Sequence, residues 1–205
     1  MVLMSLSRPW TTTWLPLLTN NAIMTPTHLG PAEHLFSAEE VETAIQRMAV
    51  AINKDLEHLT PHRPVVLLCV LAGAVVVVGQ LMPHLHFPLV LDCVQVGRYG
   101  AETSGGALQW RTRPKEPLAG AVVLLVDDIL DEGITLQALQ EYCMAEGAAA
   151  IHTAVMVRKV RPRAADVQVD YVGLEVPDLF VFGYGLDARG LGRNAPGIFV
   201  LPEDG

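Results

Sequence analysis

Val122-Val123-Leu124-Leu125-Val126-Asp127-Asp128-Ile129-Leu130-Asp131-Glu132-Gly133-Ile134-Thr135 is the stretch on which the fold turns. The apolar run Val122–Val126 predicts a buried strand, and two adjacent carboxylates mark where it surfaces. A short acidic turn with one glycine follows and ends on a hydroxyl that opens a helix. That order suits a sugar phosphate. Carboxylates accept hydrogen bonds from vicinal hydroxyls, directly or across a divalent cation. The backbone N–H groups of Glu132, Gly133, Ile134 and Thr135, with the Thr135 hydroxyl, can cradle a phosphate. Each piece has a plainer reading, as acids closing a strand or as an ordinary turn and N-cap. Only the whole string is specific.

Around it the chain alternates strands and helices. Downstream, a helix is expected over Leu136–Glu146 with Gly147 as its C-cap, then a strand over Ala149–Val157, completing a βαβ unit. Shorter strands are expected near Val169–Gly173, Leu179–Tyr184 and Ile198–Leu201. Upstream, Ser37-Ala38-Glu39-Glu40 has the form of a capping box. Val41, Ile45, Met48, Ile52, Leu56 and Leu59 follow at helical spacing, ending before Pro61. Val65–Val70 is a continuous apolar run, hence a buried strand, and Leu71-Ala72-Gly73 turns it into a helix over Ala74–Met82. The valines at 75–78 are poor helix formers that burial against a sheet can override. Leu89–Val96 is the next strand. Gly97–Pro117 is polar and glycine-bearing, a long excursion or mobile hairpin. The sum is a mostly parallel α/β sheet, whose ligands belong at the carboxyl ends of its strands.

Composition narrows the function. The 205 residues are 51% hydrophobic and 18% charged, which suits one buried core and argues against wholesale disorder. A net charge of -8 argues against a nucleic-acid binder, while local helix termini and a cation can still hold a small phosphate. Cys69, Cys93 and Cys143 are odd in number and far apart, without zinc spacing or a disulfide pattern, so they read as core thiols of a cytoplasmic protein. Residues 1–25 carry Trp10, Trp14 and two prolines without a basic-then-apolar leader pattern, and no stretch there is long enough to span a membrane. They are expected to be a disordered extension, or an over-long start with the true one at Met24, leaving 26–205 as a single domain.

Val126-Asp127-Asp128-Ile129-Leu130-Asp131-Glu132-Gly133-Ile134-Thr135 resembles the phosphoribosyl pyrophosphate (PRPP) motif of hypoxanthine-guanine phosphoribosyltransferases, particularly a proteobacterial branch. A second block, Val172-Gly173-Leu174-Glu175-Val176-Pro177-Asp178-Leu179-Phe180-Val181-Phe182-Gly183-Tyr184-Gly185-Leu186-Asp187, resembles the same family and stands in the right order. The resemblance runs from about Leu35 to Leu201. It implies a type I phosphoribosyltransferase fold, with a small hood and a mobile lid loop beside the central sheet. It also implies transfer from PRPP to hypoxanthine or guanine with release of pyrophosphate, Mg²⁺ as cofactor, and a homodimer or homotetramer.

Residue by residue, the resemblance places Asp127 and Asp128 at the ribose hydroxyls or the metal, and Asp131 as general acid/base near purine N7. It places Glu132 to Thr135 at the 5′-phosphate and Ala72 and Gly73 in the pyrophosphate loop. Lys159 would donate to the 6-oxo group, Phe180 would stack on the base, and the Val181 backbone would read its edge. Asp187 would serve the purine site and Mg²⁺, and Arg193 would contact pyrophosphate. On their own terms, Lys159 fits a charged surface turn, Phe180 a core phenylalanine, and Asp187 and Arg193 an unremarkable loop. Two departures stand out. Ala72 replaces a lysine that many relatives carry, so any pyrophosphate contact there falls to the backbone. Arg98-Tyr99, as in the proteobacterial branch, replaces the Ser-Tyr pair of many relatives in a lid expected over Gly97–Gly106, where Arg98 would approach the pyrophosphate of PRPP on closure; the plainer reading is a disordered surface loop.

Rival readings are a transferase preferring xanthine or a 6-aminopurine, and a regulator of the same fold that senses a nucleotide and binds RNA or protein. Lys159 disfavours adenine, and an intact Asp131 and Lys159 with an acidic balance disfavour the regulator. A dinucleotide-binding oxidoreductase lacks its G-x-G-x-x-G after the first strand.

Overall fold

The computed structural model describes residues 32–59, 64–97, 109–165 and 167–201. The expectations for residues 1–25, and those for Arg98, Tyr99 and most of the lid, lie outside them.

Two sheets organise the described chain. The larger has six strands in the order β4-β3-β2-β5-β6-β7. These are β2 (Val65–Val70), β3 (Leu89–Gly97), β4 (Gln109–Thr112), β5 (Val122–Leu130), β6 (Ala150–Lys159) and β7 (Tyr171–Val176). All its pairings are parallel except β3 with β4. The smaller sheet joins β1 (Glu33–Ser37), β9 (Gly197–Val200) and β8 (Val181–Phe182) in antiparallel order β1-β9-β8. The helices are α1 (Ala38–Leu56), α2 (Ala74–Leu81) and α3 (Ile134–Ala145).

Local chemistry explains most of these boundaries. Ser37 caps α1: its hydroxyl accepts from the Glu40 N–H at 3.2 Å, and the Ser37 N–H donates to the Glu40 carboxylate at 2.8 Å. Such a cap stabilises a helix by about 0.5–2 kcal/mol. Val41, Ile45, Met48, Ile52 and Leu56 are buried as their spacing predicts, but Leu59 falls in a 3₁₀ turn and is 40% exposed. Every residue of β2 is buried, because β3 and β5 flank it on both edges. At the far end of α3, Gly147 takes φ +81°, its N–H donates to the Met144 carbonyl, and the Ala148 N–H donates to that of Cys143. This is a Schellman ending, which glycine adopts without a Cβ penalty.

Four expectations need correcting. The strand carrying Asp127 and Asp128 does not end there; it runs to Leu130, because β6 keeps pairing with it as far as Leu130 opposite Arg158. The helix begins at Ile134, two residues early, with Gly133 at the cap in a left-handed conformation (φ +80°) and no side-chain cap bond. Thr135 therefore sits inside the first turn and does not cap it. The strand expected over Leu179–Tyr184 shrinks to Val181–Phe182, since Gly183 (φ +98°) turns the chain into a bridge with Leu186. Finally, β1 was not foreseen, nor was its pairing with β9.

Candidate active site

A cleft of about 270 Å³ opens at the carboxyl ends of β2 and β5. It is lined by Leu71, Ala72 and Gly73 after β2, by Asp127, Asp128, Asp131, Glu132, Gly133 and Thr135, and by Arg193. Ile134 is not among the lining residues. A place where loops leave the carboxyl ends of parallel strands is where an open α/β sheet binds its ligand.

The loop after β2 contains a cis peptide bond between Leu71 and Ala72. Its backbone is pressed on from two sides. A Cβ on Gly73 would lie 1.6 Å from Asp128 Oδ2, so that carboxylate rests directly on the glycine. A Cβ on Gly185 (φ +103°) would lie 2.2 Å from the Gly73 carbonyl oxygen. Glycine is required at both positions for close approach, and at Gly185 for conformation as well.

Asp127 is 8% exposed, and its Oδ1 accepts from the Asp128 N–H at 2.9 Å. Burial, reinforced by the neighbouring Asp128 charge, pushes the Asp127 carboxyl well above its ordinary range. Burial also raises Asp128, against the lowering pull of Asp127's hydrogen bond and the Arg193 guanidinium. Arg193 Nη1 stands 3.9 Å from Asp128 Oδ2 and donates to the Gly185 carbonyl at 2.6 Å. Its Nη2 is 2.5 Å from Asp187 Oδ1, while Asp187 Oδ2 accepts from the Gly190 N–H at 2.6 Å. Asp187, outside the cleft lining, is thus tied to it through Arg193.

The carboxylate pair carries a stability consequence. A carboxyl whose folded pKa is raised binds its proton more tightly folded than unfolded. Stability is therefore lost as pH climbs from the unfolded value near 4 through the raised one. Asp127→Asn removes that titration. Its melting temperature is expected to exceed that of the ligand-free wild type by about 2–5 °C at pH 7.5, a gap that closes toward pH 4. Thermal melts across pH check this; a gap that widens on acidification would refute it.

Past the cleft, Asp131 is held on both oxygens: Lys159 Nζ is 3.1 Å from Oδ2 and Arg161 Nη1 is 3.1 Å from Oδ1. Both cations also reach Asp178 Oδ1, at 3.5 and 3.2 Å. Lys159 is 9% exposed and Val160 beside it 61%, so the surface-turn reading of Lys159 is wrong. A buried ammonium needs paired carboxylates, and here it has two. Phe180 is 51% exposed and Val181 is buried at the start of β8. Asp131 therefore links the cleft to the Lys159 neighbourhood, while Phe180 lies beyond the cleft lining. Sequence reasoning missed Arg161 and Asp178 as partners, although Asp178 stands in the quoted second block and Arg161 two residues past Lys159.

The donor set suits a hard cation: Asp127, Asp128 and Asp187 offer only oxygen. Among the described residues no group of three or more His, Cys, Asp or Glu side chains is placed to hold a metal. Magnesium does not require one, since it commonly takes one or two carboxylates together with substrate phosphates and water. Burial disfavours the ionised form of this pair, and a nearby cation would favour it again.

Comparison with known proteins gives a consistent result. The profile of the phosphoribosyl transferase domain family matches residues 31–189. A hypoxanthine-guanine phosphoribosyltransferase of Dictyostelium discoideum is 30% identical over 176 residues, covering 84% of this chain and 96% of its own. That of Bacillus subtilis (strain 168) is 33% identical, covering 82% and 91%. Among solved structures, a hypoxanthine phosphoribosyltransferase mutant from Trypanosoma cruzi, complexed with the product IMP, superposes with a TM-score of 0.78 at 29% identity, covering 83% of this chain and 90% of that one. A hypoxanthine-guanine phosphoribosyltransferase from Bacillus anthracis gives 0.76 at 27%, covering 83% and 98%.

Proposed function

The chain belongs to the phosphoribosyl transferase domain family, and on that premise we propose that it acts in purine salvage as a hypoxanthine-guanine phosphoribosyltransferase. The reaction is hypoxanthine or guanine plus PRPP, giving IMP or GMP plus pyrophosphate. The observation that carries this reading is the junction at Asp131, which lines the cleft at the carboxyl ends of β2 and β5 and bonds the buried Lys159.

Each residue role belongs to the same proposal. The N–H groups of the first turn of α3 have no carbonyl within the helix to serve. They are available to the 5′-phosphate, and Gly133's left-handed conformation presents them. Asp127 and Asp128 face the ribose hydroxyls. The backbone of Ala72 and Gly73, with Arg193, takes the pyrophosphate. Mg²⁺, held by Asp127, Asp128 or Asp187 together with the phosphates, would supply charge neutralisation for the leaving diphosphate. Asp131 Oδ2 receives the N7 proton as N9 bonds to C1′ and the C1′–pyrophosphate bond breaks. Its charge also favours the cationic sugar that develops. Lys159 donates to the 6-oxo oxygen, and the half-exposed ring of Phe180 offers a free stacking face. The Val181 backbone reads the rest of the base edge.

Further parts rest on sequence alone. Arg98 and Tyr99 belong to the proposed lid, and the proteobacterial-like branch rests on the resemblance of the Val126–Thr135 string, with that pair in keeping. The single domain over 26–205 rests on length and composition, and a homodimer or homotetramer on the family resemblance. A cytoplasmic location draws on three free cysteines. No helix among the described residues is long and apolar enough to cross a membrane.

Initial rates with PRPP and Mg²⁺ for hypoxanthine, guanine, xanthine and adenine in parallel test the reading. Fast turnover of the first two and almost none of adenine is expected, and Lys159→Ala should lose most of that preference. No turnover with any base, despite PRPP binding, would move the chain to the regulators.

A further inference from the structure

We propose that Arg161 is a positioning residue for the purine half of the reaction: it anchors Asp131 by one oxygen so that the other is free to exchange Lys159 for the purine. This inference rests on the assignment of Asp131 and Lys159 to the base.

The geometry divides Asp131 between two cations. Oδ2 faces Lys159 Nζ and Oδ1 faces Arg161 Nη1, each at 3.1 Å. When a 6-oxopurine enters, Nζ must turn to the oxo group and Oδ2 to the N7 proton, so the Lys159–Asp131 contact opens. A carboxylate held only by that lysine would then be free to rotate about its side-chain bonds. Arg161 prevents it, because Nη1 also bonds Asp178 Oδ1 at 3.2 Å. One guanidinium nitrogen carries two hydrogens, and here each has a carboxylate. Asp178 meanwhile stays 3.5 Å from Lys159 Nζ, so the ammonium keeps a counter-charge while it changes partners.

Arg161 is itself held. The turn that carries it folds back through Arg163, whose Nη2 donates to the Lys159 carbonyl at 2.7 Å, and the Val160 N–H donates to the Val176 carbonyl at 2.8 Å. A planar fork on a pinned turn positions a carboxylate better than a flexible ammonium does. Arg161 Nε is buried without a hydrogen-bond partner. A buried unmet donor costs stability and calls for an explanation. Here that cost is borne by a fork whose Nη1 holds both carboxylates.

Steady-state kinetics of Arg161→Gln, Arg161→Lys and Asp178→Asn, with melting temperatures, test the proposal. Arg161→Gln should raise KM for hypoxanthine and guanine about tenfold or more and lower kcat several-fold, the size expected for one charge-assisted bond. Its KM for PRPP and its melting temperature should stay near wild type. Arg161→Lys should recover part of the loss, and Arg161→Gln combined with Asp178→Asn should cost less than the two separate effects multiplied. Base kinetics within twofold of wild type in Arg161→Gln would overturn the role. So would an equal loss in PRPP KM or a large fall in melting temperature, which would mark general damage. A wild type that turns over no purine would instead overturn the functional reading, and this inference with it.

Discussion

Asp131→Asn lowers kcat by about 10²–10⁴-fold for both hypoxanthine and guanine, the range expected when a positioned general base is removed. Asparagine keeps the size of the side chain and an oxygen for Arg161. It cannot accept the N7 proton, and its amide presents a donor where Lys159 Nζ now finds a carboxylate. Asp131 is 38% exposed at its side chain and outside the apolar core, so folding should survive with a small change in melting temperature. The loss should appear in kcat with both substrates saturating, because the cleft proposed for PRPP is lined mainly by other groups. A variant with kcat within threefold of wild type would remove Asp131 from proton transfer.

Gly185→Ala damages both stability and PRPP use. The residue sits at φ +103°, where a side chain costs about 1–2 kcal/mol. Its Cβ would stand 2.2 Å from the Gly73 carbonyl, and relieving such an overlap costs roughly 1–3 kcal/mol more. Together these lower the melting temperature by about 5–15 °C in a chain of this size. The loop cannot yield freely, since Asp128 presses on Gly73 from the other side. KM for PRPP should therefore rise at least about tenfold, the penalty expected when a phosphate contact is displaced. Gly79→Ala is the matched control: nothing lies within 4 Å of its would-be Cβ, and in α2 alanine should be neutral or slightly stabilising. Equal melting and equal PRPP kinetics in the two variants would show that the Gly73–Gly185 approach does not govern the loop.

How much of this was legible beforehand depends on the range of the interaction. The cap of α1, the buried β2, and the βαβ unit around the acidic turn are set by neighbours a few residues apart, and they stand close to where spacing puts them. β1 is a different case: its five residues show no alternation, and its partner β9 lies at the other end of the described chain. No local pattern reports such a partner. The strand end at Leu130 was hidden for the same reason, since carboxylates usually close a strand and only the facing β6 keeps this one going. In the site, adjacent Asp127, Asp128 and Asp131 were readable as a string. The ring through Arg161 and Asp178 was not, because hydropathy places Val160 inward and Lys159 outward, and two carboxylates reverse both.

The small sheet has a bearing on the order in which the molecule can be made. Among the described strands, β8, which follows Phe180 and begins with Val181, pairs only with β9, and β9 is also the sole partner of β1. During synthesis β2, β3 and β5 can pair long before Gly197–Val200 leaves the ribosome, so the carboxylate pair is in place early. β1 is among the first described segments made and waits longest for its neighbour. Asp127, Asp128 and Asp131 thus belong to the growing chain, while Gly185, which meets Gly73, and Arg193, which lines the cleft, come from the nearly finished one. Domains that assemble in this way expose an unpaired strand while they wait, and shielding it falls to whatever meets the nascent chain.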